Sequence, residues 1–279
     1  MALKEKIAET SGIPKSKIPG SFQVIGSISL LKFPRNSRFS AKGKQKISEA
    51  VMKILPNVRT VCEISGIGGE FRKPKIRFLA GDKSFKTIHK EHGISYAIDV
   101  STTMFSKGNL FERQRLISQI KPNEYIIDMF AGIGYFSLGL AKFSKAKRVI
   151  SIEKNPVSFR YLKRNIELNH INNMTPIKGD CRSVSKQHAF MGIADRIIMG
   201  YLPRTYKFLP HAFRFAKPGC IIHYHDTFLA SELWKKPQKL LETAAKKAGH
   251  KIKILEKKKV KSFAPNVWHI VIDFEARKY

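Results

Sequence analysis

From Tyr125 to the C-terminus, short apolar segments alternate with longer segments of helical period, and this alternation constrains the fold more than any other feature. Helix-like segments such as "VSFRYLKRNIELN" and "PQKLLETAAKKAG" separate the apolar segments. Apolar strands separated by helices predict a parallel sheet covered on both faces, which is the doubly wound α/β class. The strand-like segments are "YIIDMF", "RVISIE", "MTPIKGD", "DRIIMG", "CIIHYHD" and "WHIVIDFEA".

The first hundred residues predict a different kind of domain. Short apolar runs such as "FQVIGSISLLKF" are broken by glycine, proline and basic residues, while "KGKQKISEAVMKIL" has the period of a helix. We therefore expect a small α+β domain over residues 1–99 and the doubly wound domain over residues 100–279. No helix is predicted after the glycine-rich segment "SGIGGEFRKPK" at 65–75, so a basic hairpin or loop is expected there.

The chain is strongly basic. Its 52 Lys and Arg residues against 21 Asp and Glu give a formal net charge of +31, spread along the whole sequence. This charge predicts a polyanionic partner; the alternative is a basic surface without one. Nucleic acid fits better than a membrane, because the sequence has no run of about 18 apolar residues and no signal-peptide pattern. Candidate backbone contacts are "KPKIR" (73–77), "KAKR" (145–148) and "KILEKKKVKS" (253–262).

Cysteine and histidine usage indicates neither a disulfide framework nor a metal site. The cysteines Cys62, Cys181 and Cys220 are odd in number and far apart, which indicates a reducing compartment, the cytoplasm. His223 and His225 lie two residues apart on a predicted strand with no third ligand nearby in sequence, so no metal is expected.

A glycine-containing turn follows the first strand of the second domain, in "DMFAGIGYFSLGLA" (128–141). Asp128 ends the strand, and Gly132 and Gly134 permit a tight turn and close approach to a ligand at the start of the next helix. A dinucleotide-binding loop has a third glycine, but Ser137 stands there, so pyrophosphate binding is disfavoured.

Two further strands end in carboxylates. Glu153 ends "RVISIE", where it can accept the ribose hydroxyls, and Asp180 ends "TPIKGD", where it can accept the adenine amine. Three acidic strand ends in succession predict a pocket for an adenosine without phosphates, namely S-adenosylmethionine. The alternative is that Glu153 and Asp180 only cap the helices that follow them.

At this point the sequence resembles a known group of tRNA-modifying enzymes, which act on the guanosine 3′ of the anticodon. The resemblance rests on "DMFAGIGYFSL", "IEKNP", "ADRIIMG", "IIHYHDTF" and "APNVWHIVID", and covers residues 90–279 strongly. The group comprises guanine-N1 methyltransferases and the aminocarboxypropyltransferases of wybutosine and wyosine synthesis. It implies a class I methyltransferase-like, Rossmann-like fold and a tRNA-binding N-terminal domain.

"MGYLPRT" (199–205) resembles the aminocarboxypropyltransferases, because the methyltransferases have Asn-Leu-Pro or similar after the residue corresponding to Met199. We expect Gly200 to open room for a rotated cofactor that presents its longer arm, and Tyr201 to stack on the broad acceptor base. The alternative is that Gly200 only eases a turn and Tyr201 packs in the core. A two-residue shift of the alignment at Leu202 would restore part of the methyltransferase signature.

The segment "MFSKGNLFERQRL" (104–116) resembles the substrate side of the same group. Ser106 and Arg113 are expected on the cofactor's carboxylate or on the transferred arm, since arginine forms a bidentate fork with carboxylate. Glu112 and Arg115 are expected on a solvated helix face. Catalytic candidates are Gly200, Tyr201 and Arg113. The residues expected to bind the cofactor are Ser106, Arg113, Asp128, Phe130, Gly132, Gly134, Glu153, Lys154, Asp180 and Cys181.

The resemblance implies transfer of the 3-amino-3-carboxypropyl group of S-adenosylmethionine to demethylwyosine in tRNA-Phe. No general base is predicted, since a hydrogen-bonding role in the core is at least as good for Asp226, His223 and His225. The first alternative is a tRNA guanine-N1 methyltransferase at the same nucleotide. The second is a non-catalytic RNA-binding protein with a vestigial cofactor pocket.

Overall fold

The computed structural model describes residues 3–34, 39–106 and 109–278. The chain divides into two compact units, Met1–Phe105 and Ser106–Tyr279, whereas the sequence pattern places the boundary between residues 99 and 100. Within the three described ranges, no helix is both long enough and apolar enough to cross a membrane.

The first unit contains a four-stranded sheet and a separate two-stranded hairpin. The sheet order is β1-β2-β3-β4, in which only β2 and β3 are parallel. The expected basic hairpin at 65–75 is the turn between β3 and β4 with its flanking residues. The elements are α1 (Leu3–Ser11), β1 (Ser21–Ile25), β2 (Ile28–Lys32), α2 (Ala41–Ile54), β3 (Thr60–Gly68), β4 (Lys73–Gly81), β5 (Lys86–Glu91) and β6 (Ile94–Asp99).

Helix α2 forms where its sequence provides both a cap and an apolar face. The Ser40 hydroxyl accepts a hydrogen bond from the Gly43 N–H at 3.1 Å, which satisfies one of the free donors at the helix start. Ile47 and Val51, one helical turn apart, are buried in the core of this unit. Cap and apolar stripe together fix the start and the orientation of the helix.

The second unit is built on a seven-stranded sheet of order β12-β13-β11-β10-β7-β8-β9. Strands β7 to β11 are mutually parallel, as the doubly wound fold requires. The elements are α3 (Leu110–Ser118), β7 (Tyr125–Asp128), α4 (Ser137–Phe143), β8 (Arg148–Glu153), α5 (Pro156–Leu168), β9 (Met174–Lys178), α6 (Cys181–Val184), β10 (Ala194–Met199), α7 (Leu209–Phe215), β11 (Ala216–Leu229), α8 (Lys235–Lys247), β12 (His250–Ala264) and β13 (Val267–Lys278).

The last two strands depart from the expected all-parallel sheet. β13 pairs antiparallel with β11, and β12 pairs antiparallel with β13 at the sheet edge. The basic segment 253–262, for which the sequence predicts contacts with RNA, is therefore part of an edge strand. Its lysines suit that place, because charged side chains protect an open edge from pairing with other chains. Ile252 and Ile254 alternate with these lysines and pack against the core.

The order of the strands determines where a ligand can bind. From β7 the chain winds outward through β8 to β9, then returns to β10 on the other side of β7. The carboxyl ends of β7 and β10 thus lie side by side at the point where the winding changes direction. Open α/β sheets bind ligands in the crevice outside this edge.

Candidate active site

The glycine-containing turn between β7 and α4 is held together by Asp128. This carboxylate is fully buried; its Oδ1 accepts from the Phe130 N–H at 3.2 Å and its Oδ2 from the Ser137 hydroxyl at 3.0 Å. Burial, which disfavours the charged form, raises the pKa of Asp128 to about 7. Asp128 therefore holds the turn from its buried side. Ser137 stands where a dinucleotide-binding loop has its third glycine, and its hydroxyl donates to Asp128.

Both glycines of the turn adopt backbone conformations that favour glycine. The φ angle is +59° at Gly132 and +98° at Gly134. A Cβ at Gly134 would also lie 2.5 Å from Cγ of Leu138, and a Cβ at Gly132 would lie 2.5 Å from the ring of Tyr135. The turn thus needs glycine for its backbone and for the close packing of its neighbours.

Glu153 lies at the end of β8 directly beside this turn. Its Oε2 accepts from the Gly132 N–H at 2.7 Å and its Oε1 from the Asn155 N–H at 2.6 Å. Burial raises the pKa of Glu153. The helix that follows is capped by the Asn155 side chain, which accepts from Val157 N–H at 2.9 Å, so Glu153 is not the helix cap. Each oxygen keeps a second lone pair for a ligand hydroxyl.

Asp180, at the end of the next strand, does cap its helix. Its Oδ1 accepts from the Arg182 N–H at 2.9 Å, and its Oδ2 lies 2.6 Å from Arg182 Nη2 and 3.3 Å from Lys154 Nζ. The hydrogen bond with the Arg182 side chain is the largest cause that lowers the pKa of Asp180. The capping alternative thus describes the present contacts of Asp180, while its hydrogen bond to an adenine stays a prediction.

Cys181 follows as the first residue of α6 and is buried. Burial raises the pKa of its thiol to about 12, so the thiol is protonated at neutral pH. A nucleophilic thiolate is therefore excluded at this position, and the backbone N–H remains the group that Cys181 can offer to a ligand.

Three aromatic rings gather on the other side of the β7 end. The rings of Phe130 and Tyr201 stack with centroids 5.1 Å apart, and Phe208 packs edge-on against both, at 4.9 Å from Phe130 and 5.6 Å from Tyr201. All three side chains are half-buried. Tyr201 thus stacks on a residue of the glycine turn and stays partly exposed.

Gly200 directly follows β10, and its surroundings differ from the open room that the sequence predicts. A Cβ at this position would lie 2.9 Å from Cε2 of Phe136, so the ring of Phe136 occupies the space beside the glycine. Phe136 is itself buried, with its ring centroid 5.5 Å from that of His225. The absence of a side chain at residue 200 therefore lets Phe136 pack against the backbone just beyond β10.

The chain beyond Gly200 is held by Asp226 of β11. The carboxylate accepts from the backbone N–H groups of Arg204 at 2.7 Å and Tyr206 at 3.3 Å, and from the Tyr224 hydroxyl at 2.6 Å. Arg204 has a φ of +67°, and the preceding Leu202–Pro203 bond is cis. Burial raises the pKa of Asp226. Asp226 therefore positions the segment that carries Tyr201.

Arg113 reaches the glycine turn from helix α3. Its guanidinium donates to the Ser106 carbonyl at 2.8 Å and lies 5.6 Å from the ring centroid of Tyr135, which covers Gly132. The Ser106 hydroxyl accepts from Lys261 Nζ at 2.9 Å. The structure thus brings Arg113 to the turn, while residues 107 and 108 of the predicted segment lie outside the described residues.

The prediction of a solvated face for Glu112 and Arg115 is wrong. Glu112 is 1% exposed, and its Oε1 lies 2.5 Å from Arg115 Nη2. Arg115 Nη1 also lies 2.6 Å from Asp273 Oδ2, whose other oxygen lies 2.7 Å from His223 Nδ1. The partner Asp273 is distant in sequence, which is why the helical period alone placed these charges in solvent.

The two histidines of "HYHD" belong to the same buried network. His223 Nε2 lies 2.8 Å from Arg196, which forms a salt bridge with Glu124 at 2.7 Å. Burial lowers the pKa of His223, and lowers that of His225 to about 3, so both are neutral at pH 7. Within the described ranges no cluster of three or more His, Cys, Asp or Glu residues suits a metal ion.

Sequence reasoning did not identify Phe136, Phe208 or Arg182 as neighbours of the site. Phe136 stands inside the quoted motif "DMFAGIGYFSL", but nothing in a single sequence indicates that its ring faces residue 200. Phe208 and Arg182 approach the predicted residues only in the folded chain: the Phe208 ring centroid lies 4.9 Å from that of Phe130, and Arg182 Nη2 lies 2.6 Å from Asp180 Oδ2. The Arg182 guanidinium also lies 5.8 Å from the Phe208 ring centroid. The available sequence signal for such neighbours is a polar or aromatic residue just beyond the end of a predicted strand.

Comparison with known proteins places this geometry among tRNA-modifying enzymes. A family model described as "TRM5/TYW2 methyltransferase domain" matches residues 87–255, and one described as "TYW2 N-terminal domain" matches residues 3–84. A Methanocaldococcus jannaschii protein named tRNA(Phe) (4-demethylwyosine(37)-C(7)) aminocarboxypropyltransferase is 43% identical over 235 residues, which cover 82% of this chain and 92% of the relative.

Two further similarities bear on the reaction. The Pyrococcus abyssi tRNA (guanine(37)-N(1))-methyltransferase Trm5b is 35% identical over 92% of this chain and 75% of its own length. The crystal structure of P. horikoshii TYW2 in complex with MeSAdo has a TM-score of 0.84 and 35% identity, and the match covers 99% of this chain and 100% of that one.

Proposed function

This chain belongs to the TRM5/TYW2 methyltransferase family, and from that premise we propose that it transfers the 3-amino-3-carboxypropyl group of S-adenosylmethionine to 4-demethylwyosine in tRNA. It is a transferase that uses S-adenosylmethionine as group donor and tRNA as substrate. We further propose that the acceptor base lies in tRNA-Phe, next to the anticodon. The observation that carries the proposed transfer is the Arg113 guanidinium beside the glycine turn, where it can bind the carboxylate of the longer arm.

The residues present fit the donor. Gly132 and Gly134 form a turn in which Ser137 serves Asp128, so the turn lacks the third glycine of a pyrophosphate site. The partly exposed Glu153 carboxylate adjoins this turn and would repel a phosphate, whereas it can accept ribose hydroxyls and attract a sulfonium. We assign the donor to Glu153, Lys154, Asp180, the Cys181 N–H and the turn from Asp128 to Gly134, with Phe130 alongside.

The protein's own groups orient the reactants. In the transfer, the bond from sulfur to the γ-carbon of the arm breaks as the base carbon bonds to that γ-carbon, sulfur keeps the electron pair, and the base carbon loses its proton to solvent. Arg113 is held beside the turn by Ser106 and Tyr135, and we propose that it binds the carboxylate of the arm. Tyr201 provides the surface on which the acceptor base stacks.

Catalysis by orientation needs no general base among these residues. Asp226 is occupied by backbone N–H groups and Tyr224, and burial lowers the pKa of His223 and His225, which makes both imidazoles weak bases. Holding the γ-carbon in line with the leaving sulfur at contact distance from the base is the step that the site can accelerate.

The coproduct distinguishes the proposal from its alternatives. With tRNA carrying demethylwyosine and S-adenosylmethionine, we expect methylthioadenosine to form in amounts equal to the modified base, measured by chromatography. Adenosylhomocysteine would instead identify methyl transfer, as in the Trm5b relative. If calorimetry detected no binding of S-adenosylmethionine, the chain would be an RNA-binding protein with a vestigial pocket. The N-terminal unit is proposed to help bind the tRNA, and the cytoplasmic location stays a prediction.

A further inference from the structure

A basic groove lies between helices α7 and α8, on residues that the proposed reaction does not use. Its volume is about 890 Å³. No Asp or Glu is found among the described residues that line it, which include six basic ones. The basic residues are Lys207, Arg214, Lys236, Lys239, Lys247 and Lys278.

One face of α8 forms a wall of this groove. Lys236, Lys239 and Lys247 share that face with Leu240 and Ala244, at the spacing of successive helical turns. From residue 236 to residue 247 the helix rises roughly 17 Å, at about 1.5 Å per residue. Lysines along this length over an apolar floor suit a long, multiply charged ligand.

The charges of the groove are mostly uncompensated. Lys236 pairs with Glu232, at 2.5 Å. Lys239 and Lys247 are exposed, and neither forms a salt bridge with a described residue. Neighbouring cations repel one another unless an anion lies between them. The groove is therefore complementary to a chain of negative charges.

One end of the groove is next to the proposed acceptor site. The short 3₁₀ helix Thr205–Phe208 provides Phe208 to the ring cluster with Tyr201, and provides Tyr206 and Lys207 to the groove. Asp226 fixes this segment through the Tyr206 N–H. A polymer whose base stacks on Tyr201 thus has its neighbouring units within reach of the groove.

We propose that this groove binds the sugar–phosphate backbone of the substrate tRNA beside the modified nucleotide. The inference rests on the proposed function in that tRNA is the ligand. A small anion needs two or three cations at one point, whereas these six are spread over the 3₁₀ helix, α7, α8 and the last strand. Phosphates spaced regularly along an RNA strand match that distribution.

The test compares two double variants of α8. Lys239→Ala with Lys247→Ala removes two charges from the groove, and Lys235→Ala with Lys246→Ala removes two exposed charges from outside it. At 0.1 M salt we expect the groove pair to weaken tRNA binding about 10- to 40-fold and to reduce the slope of log K against log salt by about 1.5, since each phosphate contact contributes about 0.7 to 0.9. The control pair should change affinity less than 3-fold, and S-adenosylmethionine binding should be unchanged in both.

Two results would overturn the inference. Equal weakening by both pairs would mean that only net charge matters. Inorganic pyrophosphate that binds the wild type but not the groove pair, with tRNA affinity unchanged, would identify a small-anion site instead. The binding measurement does not depend on turnover. If no methylthioadenosine formed but the groove pair still weakened tRNA binding, the proposed reaction would be rejected and the proposed role of the groove would be retained.

Discussion

Glu153 links the loop after β7 to the loop after β8, because its carboxylate accepts hydrogen bonds from both the Gly132 and the Asn155 N–H groups. We expect Glu153→Ala to weaken S-adenosylmethionine binding by about 1.5 to 3 kcal/mol, the range for hydrogen bonds to a charged group. Isothermal calorimetry measures the change. Glu167→Ala, an exposed glutamate of α5, is the matched control and should bind as the wild type does. Unchanged affinity in Glu153→Ala would remove this residue from the donor site.

Gly200 is expected to tolerate no side chain, because a Cβ would lie 2.9 Å from the buried ring of Phe136. Overpacking of this kind costs about 1 to 3 kcal/mol of folding free energy. Gly200→Asn should therefore lower both the melting temperature and the rate of arm transfer, and Gly200→Ala should do so less. Gly66→Ala, where nothing lies within 4 Å of the added Cβ, is the control for a glycine change.

A double variant separates crowding at Phe136 from a direct effect on the ligands. Phe136→Leu makes room beside residue 200, so combining it with Gly200→Ala should recover part of the stability that Gly200→Ala loses. Full activity in Gly200→Asn alone would contradict the steric argument, whatever the stability of the protein.

Asp128 should make stability depend on pH. Its folded pKa is about 7, against 3.8 for an ordinary aspartate carboxyl, so the folded state binds the proton more tightly and its contribution to stability falls as pH rises from about 4 to 7. Asp128→Asn lacks this titration. Relative to wild type, the variant should gain stability between pH 4.5 and pH 8 by on the order of 2 to 4 kcal/mol, at about 1.36 kcal/mol per pKa unit. Thermal unfolding at both pH values measures it, and a pH-independent difference would refute the shift.

At the scale of elements, the buried charges of α3 connect this helix to the sheet. Arg115 contacts Glu112 on its own helix and Asp273 on β13, and burial, which alone would lower its pKa, is outweighed by hydrogen bonds to these two carboxylates that raise it. Arg115→Ala leaves two buried carboxylates uncompensated and should cost about 3 to 5 kcal/mol of unfolding free energy. Chemical denaturation tests this. Arg277→Ala, which breaks an exposed pair with Glu275, should leave the denaturation midpoint unchanged.

The elements themselves were largely predictable from sequence, and their long-range contacts were not. The segments "RVISIE" and "VSFRYLKRNIELN" predict β8 and α5. A strand buried on both faces is a continuous apolar run, and a helix buried along one stripe has apolar residues at the helical period, so both patterns are visible in the local sequence. The edge strand β12 is not predictable in this way, because it is only half buried and its lysines mask the apolar alternation. Contact of these lysines with RNA stays a prediction. The carboxylates at strand ends are predictable for the same reason as β8 and α5, because a strand and the residue at its end are both features of the local sequence. Phe136 beside Gly200, and Asp273 beside Arg115, depend on which elements pack together.

At the scale of the whole molecule, the net charge of +31 and the donor site should respond differently to salt. Binding of tRNA releases counterions from phosphates, so log K should fall linearly with log salt, by about 0.7 to 0.9 for each phosphate contacted. Filter binding between 50 and 300 mM salt gives that slope. The donor carries no phosphates and is proposed to bind through hydrogen bonds at Glu153 and the glycine turn, so its calorimetric affinity should change less than 3-fold over the same range. A tRNA affinity that is equally insensitive to salt would mean that the excess of lysine and arginine does not serve to bind the substrate, and the groove between α7 and α8 would lose its electrostatic basis along with it.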